Sequence, residues 1–424
     1  MDEIEITPLK HPIDASVRVP GSKSITNRVL ILAAMAAGRS TIESALFSDD
    51  TRYMIEALRA LGFKVESDET QRRIEVEGRA GEIPASSADL FVGNAGTAMR
   101  FIVGFLTLGR GRFRIDGSPR MRERPIGELL DALKSLGVQA TSERGDRCPP
   151  VVIEPPPGFA GGAAEIDAGV SSQFVSALLM PAPLWKQGLR LKVTGAVARP
   201  FIGMTLKIMT RFGASSSVEG GEIVIPGGQR YQAHDFTVEP DASSASYFAA
   251  AAALCGGSVR IAALRPDSVQ GDVGFLKVLQ KMGAHVIWHG HGVEVRCDRE
   301  LAGVDVDMAA MPDMVATLAA IAPFASSPTR IRGVGFIRHH ESDRLRAIAT
   351  ELAKLGAKVS ETEDGIAVEP SKLHPATIDS WDDHRIAMSF AVIGLKLPGI
   401  RISNPGCVSK TFPDFFEKLA ALGS

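Results

Sequence analysis

The segment ALRALG at residues 57–62 decides the architecture of this 424-residue chain, because it is the first of six similar segments. Each one reads as the end of a short amphipathic helix, with a large apolar residue directly before a glycine, and helices often end on a glycine in the left-handed conformation. The six glycines are 67 to 76 residues apart, so the pattern predicts six structural repeats along the whole chain. The six segments are ALRALG (57–62), ALKSLG (132–137), IMTRFG (208–213), VLQKMG (278–283), ELAKLG (351–356) and KLAALG (418–423).

Each repeat also begins alike, with a polar or charged cluster, an Ala-rich apolar helix and then β-type segments. Because helices such as 29–37 and 248–254 carry almost no charge, we expect them to be buried on all sides, with the sheets outside. The predicted repeat is strand–helix–strand–helix–strand–strand, and six of them make an α/β protein with a boundary near Pro240. The first nineteen residues precede the first cluster and could supply a strand to either half. The six clusters are SKSITNR (22–28), NAGTAMR (94–100), VSSQF (170–174), DASSASY (241–247), MPDMVAT (311–317) and DDHRIAM (382–388).

The composition argues against several classes of protein. A formal charge of −2 is atypical of proteins that coat nucleic acid or bind a membrane surface. Apolar runs such as 29–37 and 247–255 are shorter than the roughly 18 residues of a membrane helix, and residues 1–19 lack the apolar core of a signal peptide. The four cysteines are far apart and form no C-x-x-C pair, which fits a reducing cytoplasm. We therefore expect a cytoplasmic protein with neither a nucleic-acid nor a membrane partner.

Charged and polar residues gather at the predicted starts of helices. A cation there opposes the helix dipole, at a cost of a few tenths up to about 1 kcal/mol. An anionic ligand would compensate, because the free N–H groups of a helix start favour phosphate and carboxylate, and such local conflicts are typical of functional sites. The residues concerned are Lys23, Ser24, Arg28, Asn94, Thr97, Ser171, Ser172, Gln173, Asp313, Asp383, His384 and Arg385 at the first helices, and Arg122, Glu123, Arg124, Arg199, Glu341, Asp343, Arg344, Ser409, Lys410 and Thr411 at the second helices.

Each of these residues alone has an ordinary structural explanation. Ser24, Ser171 and Asp313 could be helix N-caps, and His384 could be a hydrogen-bonded structural histidine. The basic stretch 110–124 could be a solvated surface. The recurrence of such residues at equivalent points of the repeat favours a function over these explanations.

Several motifs of other enzyme classes are missing. The chain contains no G-x-x-x-x-G-K-[ST], no G-x-G-x-x-G that opens a helix, no H-E-x-x-H and no G-x-S-x-G. We therefore expect no nucleotide cofactor and no metal. The residues alone predict an enzyme or a binding protein for small, multiply anionic molecules that Lys and Arg neutralise.

The order of the motifs resembles the 5-enolpyruvylshikimate-3-phosphate (EPSP) synthase family of enolpyruvyl transferases. The resemblance implies an inside-out α/β barrel in two domains, each of three βαβαββ units, with the active site in the interdomain cleft. The first domain would span residues 20–239, and the second, discontinuous domain would combine 1–19 with 240–424. The motifs are PGSKSITNR (20–28), GNAGTAMR (93–100), GSPRMRERPIG (117–127), SSQF-x-x-ALLM (171–180), DASSASY (241–247), QGD (270–272), ESDRL (341–345), DDHR-x-AM (382–388) and KTFPDFF (410–416).

The reaction implied by the resemblance condenses shikimate 3-phosphate with phosphoenolpyruvate (PEP) and releases phosphate. The 5-hydroxyl adds to C2 of PEP while C3 is protonated, and the tetrahedral intermediate then eliminates phosphate, in a site that needs a dense cationic lining. Asp313 matches the group proposed to take the hydroxyl proton. Glu341 matches the group for the methylene proton, with Lys23 and His384 as further candidates. The residues matched to PEP are Lys23, Asn94, Gly96, Arg124, Arg344, His384, Arg385 and Lys410, and those matched to shikimate 3-phosphate are Lys23, Ser24, Arg28, Ser171, Ser172, Gln173 and Asp313.

The chain departs from the family pattern mainly on the shikimate side. His340 replaces a lysine, Phe336 an asparagine, Ala198 a serine and Phe201 a tyrosine, and Phe101 replaces a proline near the glycine-rich opening. The residues matched to PEP follow the pattern.

Two alternatives remain at this point. The sister enolpyruvyl transferase for UDP-N-acetylglucosamine has the same fold, but it usually carries a cysteine in the loop at 110–124, where this chain has none. A non-catalytic binder of phosphorylated metabolites would not need both Asp313 and Glu341. The family also implies a monomer.

Overall fold

A computed structural model describes residues 2–195 and 198–423 of the chain. These residues form two compact units, each of which is described by itself. The continuous unit runs from Gly21 to Val238, and the discontinuous unit combines Met1–Pro20 with Glu239–Ser424.

The described residues contain strands and helices in a recurring order. The strands are β1 Glu3–Glu5, β2 Ile13–Val17, β3 Ala37–Glu43, β4 Lys64–Asp68, β5 Arg73–Arg79, β6 Ser87–Phe91, β7 Arg112–Asp116, β8 Gln139–Ser142, β9 Val151–Glu154, β10 Gly161–Asp167, β11 Gly188–Thr194, β12 Ser217–Glu219, β13 Glu222–Ile225, β14 Phe236–Thr237, β15 Gly257–Ala262, β16 His285–His289, β17 Gly292–Cys297, β18 Asp305–Asp307, β19 Thr329–Arg332, β20 Val359–Glu361, β21 Ile366–Val368, β22 Thr377–Ile378 and β23 Arg401–Ser403. The helices are α1 Lys23–Met35, α2 Asp49–Ala60, α3 Gly96–Phe105, α4 Gly127–Ser135, α5 Ser172–Leu179, α6 Arg199–Arg211, α7 Ala242–Cys255, α8 Phe275–Met282, α9 Val315–Ile321, α10 Arg344–Lys354, α11 His384–Gly394 and α12 Phe415–Ala420.

Five of the six sheets repeat one four-stranded pairing scheme, and the sixth, β1-β23-β22, has three strands with one parallel and one antiparallel pair. In the second repeat, β6 is parallel to β7, while β7 and β9, and then β9 and β8, are antiparallel. With α3 between β6 and β7 and α4 after β7, this is the predicted strand–helix–strand–helix–strand–strand order. The sheet orders are β14-β3-β5-β4, β6-β7-β9-β8 and β10-β11-β13-β12 in the continuous unit, and β16-β17-β15-β2, β18-β19-β21-β20 and β1-β23-β22 in the discontinuous unit.

Two strands lie in a different repeat from the one that chain order suggests. Strand β2 precedes α1 in the chain but pairs in parallel with β15, which follows α7. Strand β14 precedes α7 but pairs in parallel with β3, which follows α1. Strand β1 pairs with β23, so both strands of the first twenty residues belong to sheets of the discontinuous unit.

Each unit buries a set of helices behind its sheets. Every residue of α1 from Ile25 to Met35 is buried, and so is every residue of α7 from Ala242 to Leu254. Helix α3 packs against α1 and α5 in the continuous unit, and α7, α9 and α11 pack against one another in the discontinuous unit. A helix without a polar stripe has no face that prefers water, so burial on all sides is its stable arrangement. Among the described residues, no helix is both long and apolar enough to cross a membrane.

Five of the six repeat glycines adopt the expected left-handed conformation. Their φ angles are 90° at Gly62, 94° at Gly137, 92° at Gly213, 114° at Gly283 and 87° at Gly356. The expectation is wrong for the sixth: Gly423 lies in a short 3₁₀ helix, and its φ is not positive. The 3₁₀ helix Ala421–Gly423 continues the helical backbone through this glycine, so no left-handed residue ends the helix there.

Some predicted helix starts also lie before their helices. Helix α4 begins at Gly127, after a 3₁₀ turn at Met121–Glu123. Asp313 lies in a 3₁₀ turn before α9, and Lys410 ends a 3₁₀ helix at Pro405–Lys410, well before α12. Short 3₁₀ turns of this kind are frequent at the ends of α-helices and as connections between elements.

Candidate active site

Arg28 is a buried arginine of the continuous unit whose contacts are with neutral groups. It lies on α1 and is 1% exposed. Its Nε donates to Thr205 Oγ1 at 2.7 Å and its Nη1 to the Ser24 carbonyl at 2.8 Å, and the guanidinium lies 4.9 Å from the ring centroid of Phe101. Burial lowers the pKa of Arg28 to about 9, which still leaves it charged at neutral pH. Among the described residues no carboxylate forms an ion pair with it, so this positive charge favours an anion.

One of the unusual residues on the shikimate side, Phe201, contacts this arginine, and another, Ala198, lies at the start of the same helix as Phe201. The Phe201 carbonyl accepts from Arg28 Nη2 at 3.4 Å, and Ser176 Oγ accepts from the same nitrogen at 3.3 Å. Ala198 is buried directly before α6. Residue 201 therefore contacts Arg28 through its backbone carbonyl, and any residue at this position supplies that carbonyl.

Gly96 lies directly against two arginines at the start of α3. A Cβ at this position would lie 2.7 Å from both Arg100 Nη1 and Arg124 Nη2. Arg124 is 5% exposed, and its Nη1 donates to the carbonyl and to the side-chain oxygen of Asn94, each at 3.2 Å. The matched residues Asn94, Gly96 and Arg124 are thus brought together by the fold.

Arg100 belongs to the same group of residues and was not singled out from the sequence. It is buried, its Nη1 donates to the Gly96 carbonyl at 3.2 Å, and its Nη2 donates to the Pro125 carbonyl at 3.2 Å. Arg100 lies four residues after Gly96, which is one helical turn along α3. This spacing was the signal in the sequence that could have predicted Arg100 as a site residue.

Lys23 begins α1 and forms an ion pair with Asp50, with Nζ 3.1 Å from Oδ2. The lysine side chain is 12% exposed and the aspartate side chain 4%. Asp50, in the first turn of α2, offsets the unfavourable effect of a cation at a helix start. It was not predicted as a site residue, because nothing local in the sequence relates it to Lys23.

The Ser171–Gln173 segment forms the start of α5. Ser171 is its N-cap, and its Oγ accepts from the Gln173 backbone N–H at 3.2 Å. The capping explanation therefore holds for Ser171. Ser172 and Gln173 are the first two helical residues and are partly exposed.

Arg344 is the centre of an ion cluster in the discontinuous unit. This side chain is 1% exposed and contacts three carboxylates. Its Nη1 lies 3.0 Å from Asp313, its Nη2 2.8 Å from Glu341 and its Nε 3.0 Å from Asp383. Burial alone would lower the pKa of Arg344, but the charges of Asp383, Glu341 and Asp313 raise it overall.

Asp313 bridges two arginines. Its Oδ1 accepts from Arg344 Nη1 and its Oδ2 from Arg385 Nη2, both at 3.0 Å. Burial alone would raise its pKa, but the charges of Arg385 and Arg344 hold the pKa well below the usual range of an aspartate. Asp313 is not the N-cap of α9, whose first turn has no side-chain cap, so the capping explanation is not supported.

His384 and Arg385 are the first two residues of α11. Asp383 caps this helix by accepting from the Arg385 backbone N–H at 2.9 Å. Arg385 Nη1 donates to the Tyr247 hydroxyl at 3.1 Å, and burial raises the pKa of Tyr247 to about 12. His384 is buried, with Nδ1 3.8 Å from Asp383 Oδ1.

Lys410 completes the cluster through Glu341. Its Nζ lies 3.2 Å from Glu341 Oε1, while Oε2 of the same carboxylate faces Arg344. Glu341 is therefore held between two cations, and its side chain is 9% exposed. His340 accepts from Arg344 Nη1 at its Nδ1 at 3.1 Å, and its ring meets Phe336 edge-on at 6.0 Å.

These contacts change the expectation about charge compensation. The cations at helix starts were expected to require an anionic ligand. In the discontinuous unit, carboxylates of the chain itself balance Arg344, Arg385 and Lys410, and Asp50 balances Lys23. Arg28 keeps its positive charge without such a partner among the described residues. The sequence did not predict the ion pairs of the other cations, because their partner acids are distant in the chain and meet them only after folding.

Among the described residues there is no group of three or more His, Cys, Asp or Glu side chains suited to hold a metal ion.

Six α/β modules with clustered arginines at helix starts define a class of enzyme that handles small anionic molecules. A family model for EPSP synthase (3-phosphoshikimate 1-carboxyvinyltransferase) matches residues 9–419, and the chain belongs to this family.

Individual relatives agree with this assignment. The chain is 48% identical to the 3-phosphoshikimate 1-carboxyvinyltransferase of Trichormus variabilis, over 99% of this chain and 98% of that protein. It is 44% identical to the chloroplastic enzyme of that name from Solanum lycopersicum, over 98% of this chain and 84% of that protein. An EPSP synthase structure from Acinetobacter baumannii has a TM-score of 0.82 and 27% identity, and the match covers 100% of this chain and 98% of that one.

The family, the repeated α/β fold and the enolpyruvyl transferase activity expected from the motifs are thus confirmed. The comparisons do not favour the UDP-N-acetylglucosamine alternative.

Proposed function

We propose that this chain transfers the enolpyruvyl group of PEP to the 5-hydroxyl of shikimate 3-phosphate and releases phosphate, by addition and elimination through a tetrahedral intermediate. The observation that carries the mechanism is that Arg344 holds Asp313 and Glu341 at once, while Arg385 and Lys410 each contact one of these carboxylates. Two acid–base groups and three cations therefore share one cluster, which a binding protein would not need.

The proposed anion partners follow from the buried cations. Arginine suits phosphate and carboxylate because its planar group donates two parallel hydrogen bonds. The proposed PEP residues are Lys23, Asn94, Gly96, Arg124, Arg344, His384, Arg385 and Lys410. The proposed shikimate 3-phosphate residues are Lys23, Ser24, Arg28, Ser171, Ser172, Gln173 and Asp313. Arg28 has the strongest individual support, because its charge is buried and no carboxylate among the described residues forms an ion pair with it.

The charge balance of the Arg344 cluster suggests how its carboxylates take part. Three carboxylates already balance Arg344, Arg385 and Lys410 in the free protein. Adding the phosphate and carboxylate of PEP brings further negative charge, which raises the pKa of every neighbouring carboxyl. Glu341 can then take up a proton and donate it to C3 of PEP as the 5-hydroxyl adds to C2.

Asp313 is the proposed acceptor of the hydroxyl proton. Its low pKa in the free protein keeps it ionised, so it can accept a hydrogen bond from the 5-hydroxyl. Substrate anions that draw Arg344 and Arg385 away would raise its basicity when the proton leaves. The intermediate then loses a proton from C3 and releases phosphate. Lys23 and His384 are further candidates for these proton transfers.

The proposed setting is a cytoplasmic monomer without nucleic-acid or membrane partners. The support for this setting is the family resemblance. Light scattering of the purified chain tests whether the protein is a monomer.

The function is tested by phosphate release from PEP. We expect release only when shikimate 3-phosphate is present, together with formation of the enolpyruvyl product. Release supported by UDP-N-acetylglucosamine instead would establish the sister activity. Binding of PEP and shikimate 3-phosphate without release would establish a non-catalytic binder.

A further inference from the structure

The two residues directly before Asp383 have a left-handed backbone. The φ angle is 54° at Trp381 and 50° at Asp382, and in the part of the chain that the structure describes these are the only adjacent non-glycine residues with a positive φ. This conformation is unfavourable for residues other than glycine, most of all for a bulky tryptophan, and it persists only where the surrounding structure holds it. Strained backbone of this kind is concentrated at functional sites. Here the strained turn leads directly into the start of α11, where Arg385 lies.

Glu351 is a buried carboxylate that holds this turn, and none of the roles proposed above involves it. It lies on α10 and is 1% exposed. Its Oε1 accepts from Trp381 Nε1 at 3.0 Å, and its Oε2 accepts from the Asp379 backbone N–H at 3.1 Å. Lys354 Nζ donates to the same Oε2 at 2.6 Å. Burial of a carboxylate requires hydrogen bonds to its oxygens, and both oxygens of Glu351 have them.

Two other hydrogen bonds act on the turn. Asp379 Oδ1 accepts from the Trp381 backbone N–H at 2.8 Å, which fixes the local shape of the segment. Asp382 is exposed, and its Oδ1 accepts from Asn404 Nδ2 at 3.1 Å. An exposed hydrogen bond competes directly with water. The buried contacts of Glu351 are therefore the main connection between the turn and α10.

Both ends of this connection reach the ion cluster around Arg344. Arg344 begins α10, about two helical turns before Glu351. Asp383 directly follows the turn, and its Oδ2 accepts from Arg344 Nε at 3.0 Å, while its Oδ1 accepts from the Arg385 backbone N–H at 2.9 Å. The contacts thus form a closed path, which runs from Arg344 along α10 to Glu351, across to the turn, and back to Arg344 through Asp383.

We propose that Glu351 is a positioning residue: by holding the Trp381–Asp382 turn against α10, it places Arg385 for the binding of PEP. The role in PEP binding rests on the proposed function, in which Arg385 contacts PEP. Without Glu351 the turn relaxes towards the right-handed conformation that its residues prefer. Asp383 and the start of α11 then shift with the turn, because they follow it directly in the chain.

The expected signature is a rise in the KM for PEP. A misplaced Arg385 weakens anion binding, and the loss of one well-placed charge-assisted hydrogen bond corresponds to a rise of about tenfold. A purely structural role would lower the melting temperature and the fraction of active enzyme, and hence the apparent kcat, but it would leave the KM unchanged. The KM for shikimate 3-phosphate should change less, because Arg28 lies in the continuous unit.

Two variants of the full chain break the connection from either side. Glu351→Gln keeps the size of the side chain but leaves one acceptor oxygen for three donors, so it should raise the KM for PEP about tenfold. Trp381→Phe lacks only the indole N–H and part of the ring, so its effect should be smaller. The double variant should have the KM of Glu351→Gln, because both changes break the same connection. Trp288→Phe, at a partly buried tryptophan on β16, is the matched control and should keep the wild-type KM.

Hydrogen–deuterium exchange of the backbone tests the hold on the turn without any substrate. Residues 378–386 should exchange faster in Glu351→Gln and Trp381→Phe than in wild type and Trp288→Phe, whereas strand β15 of the same unit should be unchanged. Unchanged exchange of 378–386 would show that Glu351 does not hold the turn. A wild-type KM for PEP in Glu351→Gln would show that the turn does not place Arg385.

Either of these two results would overturn the proposal, and so would single effects on KM that multiply in the double variant. Absence of phosphate release from the wild type with both substrates would instead refute the proposed function. In that case the exchange experiment still decides whether Glu351 holds the turn.

Discussion

Arg344 and Asp313 form an ion pair with a distance of 3.0 Å between Nη1 and Oδ1, although they are 31 residues apart in the chain. Arg385, a further 41 residues on, binds the other oxygen of the same carboxylate at 3.0 Å. Both oxygens of Asp313 are thus occupied by arginines in the free protein. A substrate hydroxyl must share them, which makes Asp313 sensitive to any anion that engages the two arginines.

The first prediction concerns turnover after removal of this carboxylate. Asp313→Ala should lower kcat by about 100-fold or more, because general base catalysis commonly contributes that much. The KM for PEP should change far less, since Arg344 and Arg385 remain. Steady-state kinetics with both substrates varied measures the two effects separately. An unchanged kcat would remove Asp313 from the mechanism.

The second prediction concerns the same carboxylate and the pH dependence of stability. The folded pKa of Asp313 is depressed, so its contribution is present above the unfolded value of about 4 and is lost as the pH falls through the lower folded value. Asp313→Asn should therefore destabilise the chain by about 2 kcal/mol at pH 7 and by progressively less below pH 4. Urea unfolding at a series of pH values measures this difference.

Asp305→Asn is the control for that experiment. Asp305 pairs with Arg332 at 2.8 Å, but its side chain is 51% exposed. Exposed ion pairs contribute little, so we expect a small change without this pH dependence. A loss at Asp313 that is equal at pH 7 and pH 3 would contradict the ion-pair explanation.

A third prediction follows from the buried charge of Arg28, for which the described part of the chain provides no carboxylate partner. Arg28→Met should raise the KM for shikimate 3-phosphate about 10- to 100-fold, as expected for a lost charge-assisted hydrogen bond, and change the KM for PEP much less. Shikimate 3-phosphate should raise the melting temperature of the wild type and have a smaller effect on the variant. Arg211→Met is the control, since Arg211 also stacks on a phenylalanine, Phe236, at 5.2 Å, but is exposed. Equal KM values for Arg28→Met and wild type would exclude this phosphate site.

The fourth prediction concerns the close approach at Gly96. Gly96→Ala places a Cβ 2.7 Å from Arg100 and Arg124, so both guanidinium groups must shift. We expect the KM for PEP to rise about tenfold or more, with little loss of stability. Gly203→Ala in α6 is the control, because a Cβ there meets nothing within 4 Å and alanine favours a helix by about 1 kcal/mol. A Gly96→Ala enzyme with the wild-type KM would show that the arginines move without affecting PEP.

The buried helices and five of the six glycine-marked helix ends were predictable from local patterns. The apolar character of α1 and α7 predicts burial, and the glycines at 62, 137, 213, 283 and 356 mark helix ends. The exchange of β2 and β14 between repeats was not predictable in this way. Both strands satisfy the same local pattern in either half, so only the pairing with β15 or β3 distinguishes the two arrangements.

For the site, the sequence by itself determined where cations recur and, through rare motifs, which family they resemble. Tertiary structure alone decided which acid meets which base: Asp50 with Lys23, and Asp383 with Arg344. The physical reason is that helix dipoles, caps and periodicity act within a few residues, whereas charge compensation and burial depend on chain segments that meet only after folding.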